Sequence, residues 1–340
     1  VISLNRRKAI ALGAGAAAFA SGRACAEDKP AVVRIGYLTA PRAWTIGKTD
    51  GSFDKALGTK VEWVSFPSGG PGLTLLAAKQ IDFAIFGNTP IAAGLSRKLP
   101  IEILGSPEIV ATSERLIAKP GIASVKDLEG KRIAVAPSST MAFALEAVIR
   151  INKLDSASIK RLPLSQPDTI AAWRRGDIDA TYINGPFWGE LLAAGGRQLL
   201  VSADLRPSGV FVWNSAVVHK DFVDRYPESV VAWLQTVQAQ IDRYKADRDG
   251  VSQALAKAYG APFEAVRDTL IGLDYPTFQE QLGAGYWSNS VASGRTAPLV
   301  KALDGVAQYL AETGEIKRDG IPESFATTVN YDLLNRAFPA

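Results

Sequence analysis

One pattern occurs twice in this chain and restricts its fold more than any other feature. At Ala77-Ala78-Lys79-Gln80-Ile81-Asp82-Phe83-Ala84-Ile85-Phe86-Gly87 a helical stretch turns into an apolar strand that stops at a glycine, with Pro90 just beyond. At Ala172-Trp173-Arg174-Arg175-Gly176-Asp177-Ile178-Asp179-Ala180-Thr181-Tyr182-Ile183-Asn184 the same order returns, with Pro186 just beyond. Each copy predicts a helix, an Ile-Asp turn, a short buried strand, and a Gly or Asn with Pro that suits the start of another helix. In open α/β sheets ligands sit outside the carboxyl ends of the strands, where the following helices begin. Two such units about a hundred residues apart predict two similar lobes facing one another across a cleft, the plan of a clamp around a small molecule.

The first 26 residues read as an export signal and not as part of the fold. Asn5-Arg6-Arg7-Lys8 gives a basic start, Ala9 to Ala20 a short apolar run, and Ala24-Cys25-Ala26 a small-x-small cleavage pattern, so that Glu27 begins the mature chain. The run is too short to cross a bilayer core of roughly 30 Å. Arg6-Arg7, the weakly hydrophobic run and Arg23 point toward the twin-arginine route, whereas Lys8-Ala9-Ile10 after the pair fits that signal poorly. The expected location is the periplasm.

This segment changes the charge argument. It holds four of the chain's 38 lysines and arginines and none of its 34 acids, so the mature part is electrically balanced. A nucleic-acid or membrane-surface role therefore lacks electrostatic support. Cys25 is the only cysteine and lies inside the signal; its context lacks the Leu-rich approach of a lipoprotein. The mature chain thus has no thiol and one histidine, His219, beside Lys220-Asp221 in what reads as a surface turn. Cys/His metal sites and thiol or Ser-His nucleophilic chemistry are nearly excluded, and neither metal nor cofactor is expected.

A mature chain of this length exceeds one typical core, so two lobes are expected. Strands are predicted at Val32 to Tyr37, Val61 to Phe66, Ile101 to Leu104, Arg115 to Ala118, Arg132 to Val135 and Val210 to Val218. Helices are predicted from Leu73, from Met141 to Ile151 and from Val300 to Leu310, with a mainly helical tail after Asp221. Crossings between lobes near 114–118 and 211–217 make a two-strand hinge. The boundaries expected are 27–115 for the first part of lobe 1, 116–213 for lobe 2, and 214–340 for the remainder of lobe 1.

Ser138-Ser139-Thr140 is the leading site candidate. Three hydroxyls follow a strand at a helix start, where free backbone N–H groups and the positive end of the dipole favour an anion. Plain N-capping explains such a run equally well. Gly87-Asn88-Thr89-Pro90 occupies the equivalent place in the other lobe and strengthens the site reading. Neutral hydroxyl and amide donors suit an oxyanion such as a sulfonate. Ser68-Gly69-Gly70 either brings further N–H groups close, since glycine permits a close approach, or is only a tight turn.

Several segments resemble a known family. They are Leu128 to Val135, Ile170 to Asp179, Val217-Val218-His219-Lys220-Asp221-Phe222 and Tyr226-Pro227-Glu228, with Gly87-Asn88-Thr89-Pro90 and Pro100-Ile101-Glu102 in the same order. Together they resemble the periplasmic substrate-binding proteins of taurine, alkanesulfonate and nitrate ABC importers, the taurine-binding branch most of all, over essentially the whole mature chain. The resemblance implies an α/β, two-lobed periplasmic-binding-protein clamp (type II-like) that closes on its ligand and delivers it to a membrane permease. The ATPase would be a separate chain, and no Gly-x4-Gly-Lys-Ser/Thr loop occurs here. A monomer that binds no nucleic acid is expected.

By the same resemblance, Ser139 and Thr140 match a hydroxyl pair at the sulfonate end. Ser113-Glu114 matches a Ser-Glu before the hinge strand, which makes Glu114 a candidate partner for a ligand ammonium, or else a hinge-edge salt bridge. The branch has an aspartate where this chain has Asn214 and a tryptophan where it has Asn184. Losing a carboxylate weakens charge-assisted recognition of a cation, so a sulfonate uncharged or hydroxylated at its far end is also admitted. Trp44, Trp188 and Trp213 are candidate aromatic walls, although buried tryptophans are more often packing. The alternative to a transport component is an enzyme on the same fold; pyrimidine-synthesising and desulfinase relatives rely on histidine or cysteine. A third reading is a sensory solute-binding domain docked on a receptor.

Overall fold

The computed structural model describes residues 29–283 and 298–339. The expected signal segment and Cys25 lie outside the described residues. Two sheets organise the rest, one per lobe. The lobe 1 sheet is built from β1 (Val32–Leu38), β2 (Lys60–Phe66), β3 (Phe83–Gly87), β4 (Ile101–Ile103) and β5 (Glu108–Val110). Lobe 2 follows with β6 (Glu114–Ala118), β7 (Arg132–Val135), β8 (Lys160–Pro163), β9 (Ala180–Asn184) and β10 (Arg197–Val201). The chain then returns to the first sheet through β11 (Trp213–His219) and β12 (Leu273–Asp274). Strand orders are β12-β5-β11-β3-β1-β2, with β4 also on β11, and β10-β6-β9-β7-β8.

The repeated sequence pattern is the repeated structural unit. In lobe 1, β3 lies parallel to β1 and antiparallel to β11; in lobe 2, β9 lies parallel to β7 and antiparallel to β6. All five residues of β3 and all five of β9 are buried, as expected of central strands covered on both faces. The Ile-Asp turn has a specific task in each copy. Asp82 accepts a hydrogen bond from the Arg34 backbone N–H at 2.7 Å, and Asp179 accepts one from Arg132 N–H at 2.8 Å. Each aspartate thereby fastens the repeated strand to its parallel neighbour.

The long helix Pro227–Ala246 covers lobe 1. It starts with Pro at its first position and buries Val230, Trp233, Leu234, Val237 and Ile241, a stripe of helical period. Trp233 stacks on Phe83 with ring centroids 4.6 Å apart. Trp44, Phe53 and Trp63 form a second aromatic cluster under β1 and β2.

The strands at 114–118 and 213–219 lie wholly within their own sheets, so the crossings themselves are residues 111–113 and 202–212. The two crossings are joined where Ala203 N–H donates to Ala111 O at 2.9 Å. The Gly272 carbonyl receives the N–H groups of Ala111, Thr112 and Ser113 at 2.9–3.0 Å, and a side chain on Gly272 would stand 2.4 Å from Ser113 N. His219 departs from the surface setting expected of it. It is 4% exposed at the far end of β11, where its Nδ1 caps the next helix by accepting from Asp221 N–H at 3.2 Å.

Candidate functional site

The cleft lies where the carboxyl ends of the parallel strands in the two lobes meet, around a cavity of about 40 Å³. Its walls follow the pseudo-symmetry of the fold. Gly87, the last residue of β3, is in register with Asn214 on β11; Asn184, the last residue of β9, is in register with Glu114 on β6. All four line the cavity. Helix N-termini also reach it, among them Gly69–Ala77, preceded by Ser68, and Thr140–Ile151, preceded by Ser139. The first helix starts at Gly69, four residues before the position expected from the apolar pattern. Ser68 with Pro71 in the first turn is the start signal.

These two N-termini differ in what they leave free. Ser139 Oγ accepts from Ala142 N–H at 3.2 Å and donates to Ala136 O at 2.6 Å, so its hydroxyl serves as an ordinary cap. Ser68 makes no side-chain cap bond. The leading N–H groups of both helices have no intrahelical acceptor and make an anion-favouring pair of termini.

Sequence reasoning missed Arg42 and Glu108. Arg42 lines the cavity, is 5% exposed, and lies with Nε 3.4 Å from Glu108 Oε2; Glu108 is fully buried. Asn214 Nδ2 donates to the same Oε2 at 2.8 Å. The cavity wall therefore carries a cationic side chain beside the neutral hydroxyl and amide groups expected from sequence. A carboxylate also stands directly behind Asn214, where the resemblance had implied its loss. Arg42 sits at the cap of the short helix Ala43–Lys48 and Glu108 at the start of β5, and their pairing in space makes the burial of both charges tolerable.

Glu114 is 4% exposed and takes the Thr140 hydroxyl on Oε1 at 2.6 Å and the Ser202 hydroxyl on Oε2 at 3.4 Å. Tyr182 OH and Ser202 Oγ lie 2.9 Å apart and extend the chain toward the hinge. Burial pushes the Glu114 carboxyl up to about 7, against these hydrogen bonds and the nearby Arg42. Burial likewise raises Glu108, partly offset by Arg42 and Asn214.

Six sequence candidates stand away from the cavity. Ser138 turns aside in a left-handed conformation (φ 51°) and donates to Glu315 Oε2 at 2.6 Å. Asn88 donates to Phe211 O at 3.1 Å, and Thr89 is fully buried with no partner for its hydroxyl. Trp44 is packed in the lobe 1 core. Trp188 donates from Nε1 to Ser113 O at 3.1 Å, carries the Arg115 guanidinium 3.6 Å over its ring, and borders a separate groove of about 880 Å³. Trp213 is packed with its Nε1 donating to Ser215 Oγ at 3.1 Å.

Residues 26–259 match the sequence profile of the NMT1-like family. The chain belongs to that family. It is 30% identical over 291 residues to the taurine-binding periplasmic protein of Escherichia coli K12, covering 84% of this chain and 87% of that protein. The NMT1-like fold seen here also superposes on the alkanesulfonate-binding protein SsuA of Xanthomonas axonopodis pv. citri bound to MOPS. That TM-score is 0.72 at 22% identity, over 89% of this chain and 99% of that one. A desulfurization enzyme superposes with TM-score 0.64 at 16% identity, over 91% of this chain and 99% of its own. Fold alone therefore does not separate binder from enzyme.

Proposed function

We propose that this chain is the periplasmic solute-binding component of an ABC importer and holds a small organosulfonate, taurine or a related alkanesulfonate, between its lobes. The observation that carries the reading is the cleft's paired character. Two open helix N-termini and Arg42 supply donors for an oxyanion, and Glu114, Asn184 and Asn214 supply acceptors for the ligand's other end. The similarity to a taurine-binding periplasmic protein supports the same ligand class. Residues of both lobes contribute, so a ligand that bridges them favours the closed arrangement. Delivery to a membrane permease driven by a separate ATPase follows from this role, with export of the chain to the periplasm and action as a monomer.

The enzyme reading is the weaker one. Among the described residues the cavity is lined by no cysteine or histidine, and His219 lies at the opposite end of β11 from Asn214. A thermal-shift screen of the chain from Glu27 tests the proposal. Taurine or another organosulfonate raises the melting temperature, since ligand binding to the folded state stabilises it by mass action. No shift with any sulfonate overturns the anion assignment.

A further inference from the structure

Glu108 does not line the cavity, yet it determines what one wall of the cavity presents. Its carboxyl is fully buried, and the upward pull of burial is opposed by Arg42, a permanent cation 3.4 Å away, and by the Asn214 amide donating to it, both of which favour the ionised form. An ionised carboxylate only accepts hydrogen bonds. The Asn214 amide must therefore turn its NH₂ toward Glu108, which it does at 2.8 Å, and its carbonyl toward the opposite side. That side is the cleft: a methyl group on Gly87 would stand 3.6 Å from Asn214 Oδ1. Charge behind the amide thus removes the twofold ambiguity that a side-chain amide otherwise carries.

Two neighbours have the same polarity. Asn184 lines the cavity, is 5% exposed, and its Oδ1 is buried without a hydrogen-bond partner. Glu114, its register partner, presents a carboxyl group. We propose that Glu108 is the positioning residue that sets ligand selectivity. By holding the Asn214 carbonyl inward it completes a set of three acceptors, Asn214 Oδ1, Asn184 Oδ1 and the Glu114 carboxyl, matched to the three N–H bonds of a primary ammonium. The inference rests on the proposed small-molecule clamp and narrows its ligand to one with a cationic amine opposite its anion. An alkyl end placed there leaves buried acceptors unpaired, and sites built to pair such groups reject ligands that lack them.

The test is calorimetric binding of taurine, ethanesulfonate, β-alanine and propionate to the mature chain and to Glu108→Gln. The intact protein prefers each amine to its amine-free counterpart by at least about tenfold. In Glu108→Gln the residue behind Asn214 can donate as well as accept, so the amide is released and the taurine-to-ethanesulfonate ratio falls about tenfold. Asn214→Leu, which removes the carbonyl itself, gives the same collapse and serves if Glu108→Gln fails to fold. A preserved ratio in either folded variant, or equal binding of taurine and ethanesulfonate by the intact protein, overturns the inference. Binding of β-alanine over propionate with no sulfonate bound overturns the sulfonate reading and leaves this one standing. Binding of neither amine overturns this one.

Discussion

The Thr140 hydroxyl donates to Glu114 Oε1 at 2.6 Å inside a carboxyl environment where burial outweighs every stabilising partner. Glu114 is consequently raised from an ordinary 4.5 to about 7. A raised acid favours its neutral form in the fold. Its contribution to stability is thus fully present below its unfolded value and is lost as pH rises toward about 7. The melting temperature of the ligand-free protein should fall across that interval and level off above it.

Ligand binding should show the opposite slope. An ammonium ligand is held best by ionised Glu114, so taurine affinity should climb by up to about tenfold per pH unit below the Glu114 value and flatten above it, with proton release on binding. Calorimetry in buffers of different ionisation enthalpy measures the released proton directly. Ethanesulfonate should lack the rise. An identical pH profile for the two ligands would remove Glu114 from the amine end.

Gly87 and Thr140 meet across the cleft. A Cβ on Gly87 would stand 2.4 Å from Thr140 Cγ2, closer than carbon atoms approach, whereas the Gly87 backbone (φ −64°, ψ 155°) suits any residue. Gly87→Ala should therefore fold with a ligand-free melting temperature near that of the parent and fail to close. The expected loss of taurine affinity is on the order of a hundredfold, the scale of an overpacking cost of about 1–3 kcal/mol. Combining it with Thr140→Ser, which removes the methyl and keeps the hydroxyl to Glu114, should restore most of the loss. No rescue would mean that the contact does not limit closure.

The architecture was legible in the sequence because β3 and β9 are short apolar runs with matching flanks, a strictly local signal. The purpose of the Ile-Asp turn was not, since Asp82 and Asp179 fasten backbone N–H groups 48 and 47 residues earlier in the chain. In the site, Gly87, Glu114, Ser139, Thr140, Asn184 and Asn214 were named from sequence and share the cavity wall. Arg42 and Glu108 escaped notice because an isolated charge reads as solvated until its partner is seen. Ser138 shows the converse: it belongs to the hydroxyl run, but its left-handed backbone sends it to Glu315.

Arg42 should matter for stability and binding together. Its Nη1 donates to Pro41 O at 3.1 Å, and its guanidinium is the positive charge facing buried Glu108. Arg42→Met leaves Glu108 an uncompensated buried charge, for which losses of about 3–5 kcal/mol are typical. Adding Glu108→Gln removes that charge and should recover a large part of the stability in urea unfolding. Sulfonate binding should remain weak in the double variant, because the donor is still missing. Recovery of both properties would show that Arg42 only neutralises Glu108.

The lobes also touch outside the cavity, and that contact should tune ligand release. Ser138 of lobe 2 donates to Glu315, whose backbone is fixed to lobe 1 by Arg97 at 3.0 Å and by its own N–H to Leu310 O at 2.9 Å. Phe143 meets Tyr309 edge-on beside it, with centroids 5.4 Å apart. Neither Ser138 nor Glu315 lines the cavity. Ser138→Ala and Glu315→Gln should each speed ligand dissociation by about fivefold, the scale of one hydrogen bond worth about 1 kcal/mol. The same factor should apply to every ligand, and the double variant should lose little more than either single one. Stopped-flow tryptophan fluorescence measures the rates. Factors that differ between ligands would instead place one of these residues in contact with the bound molecule.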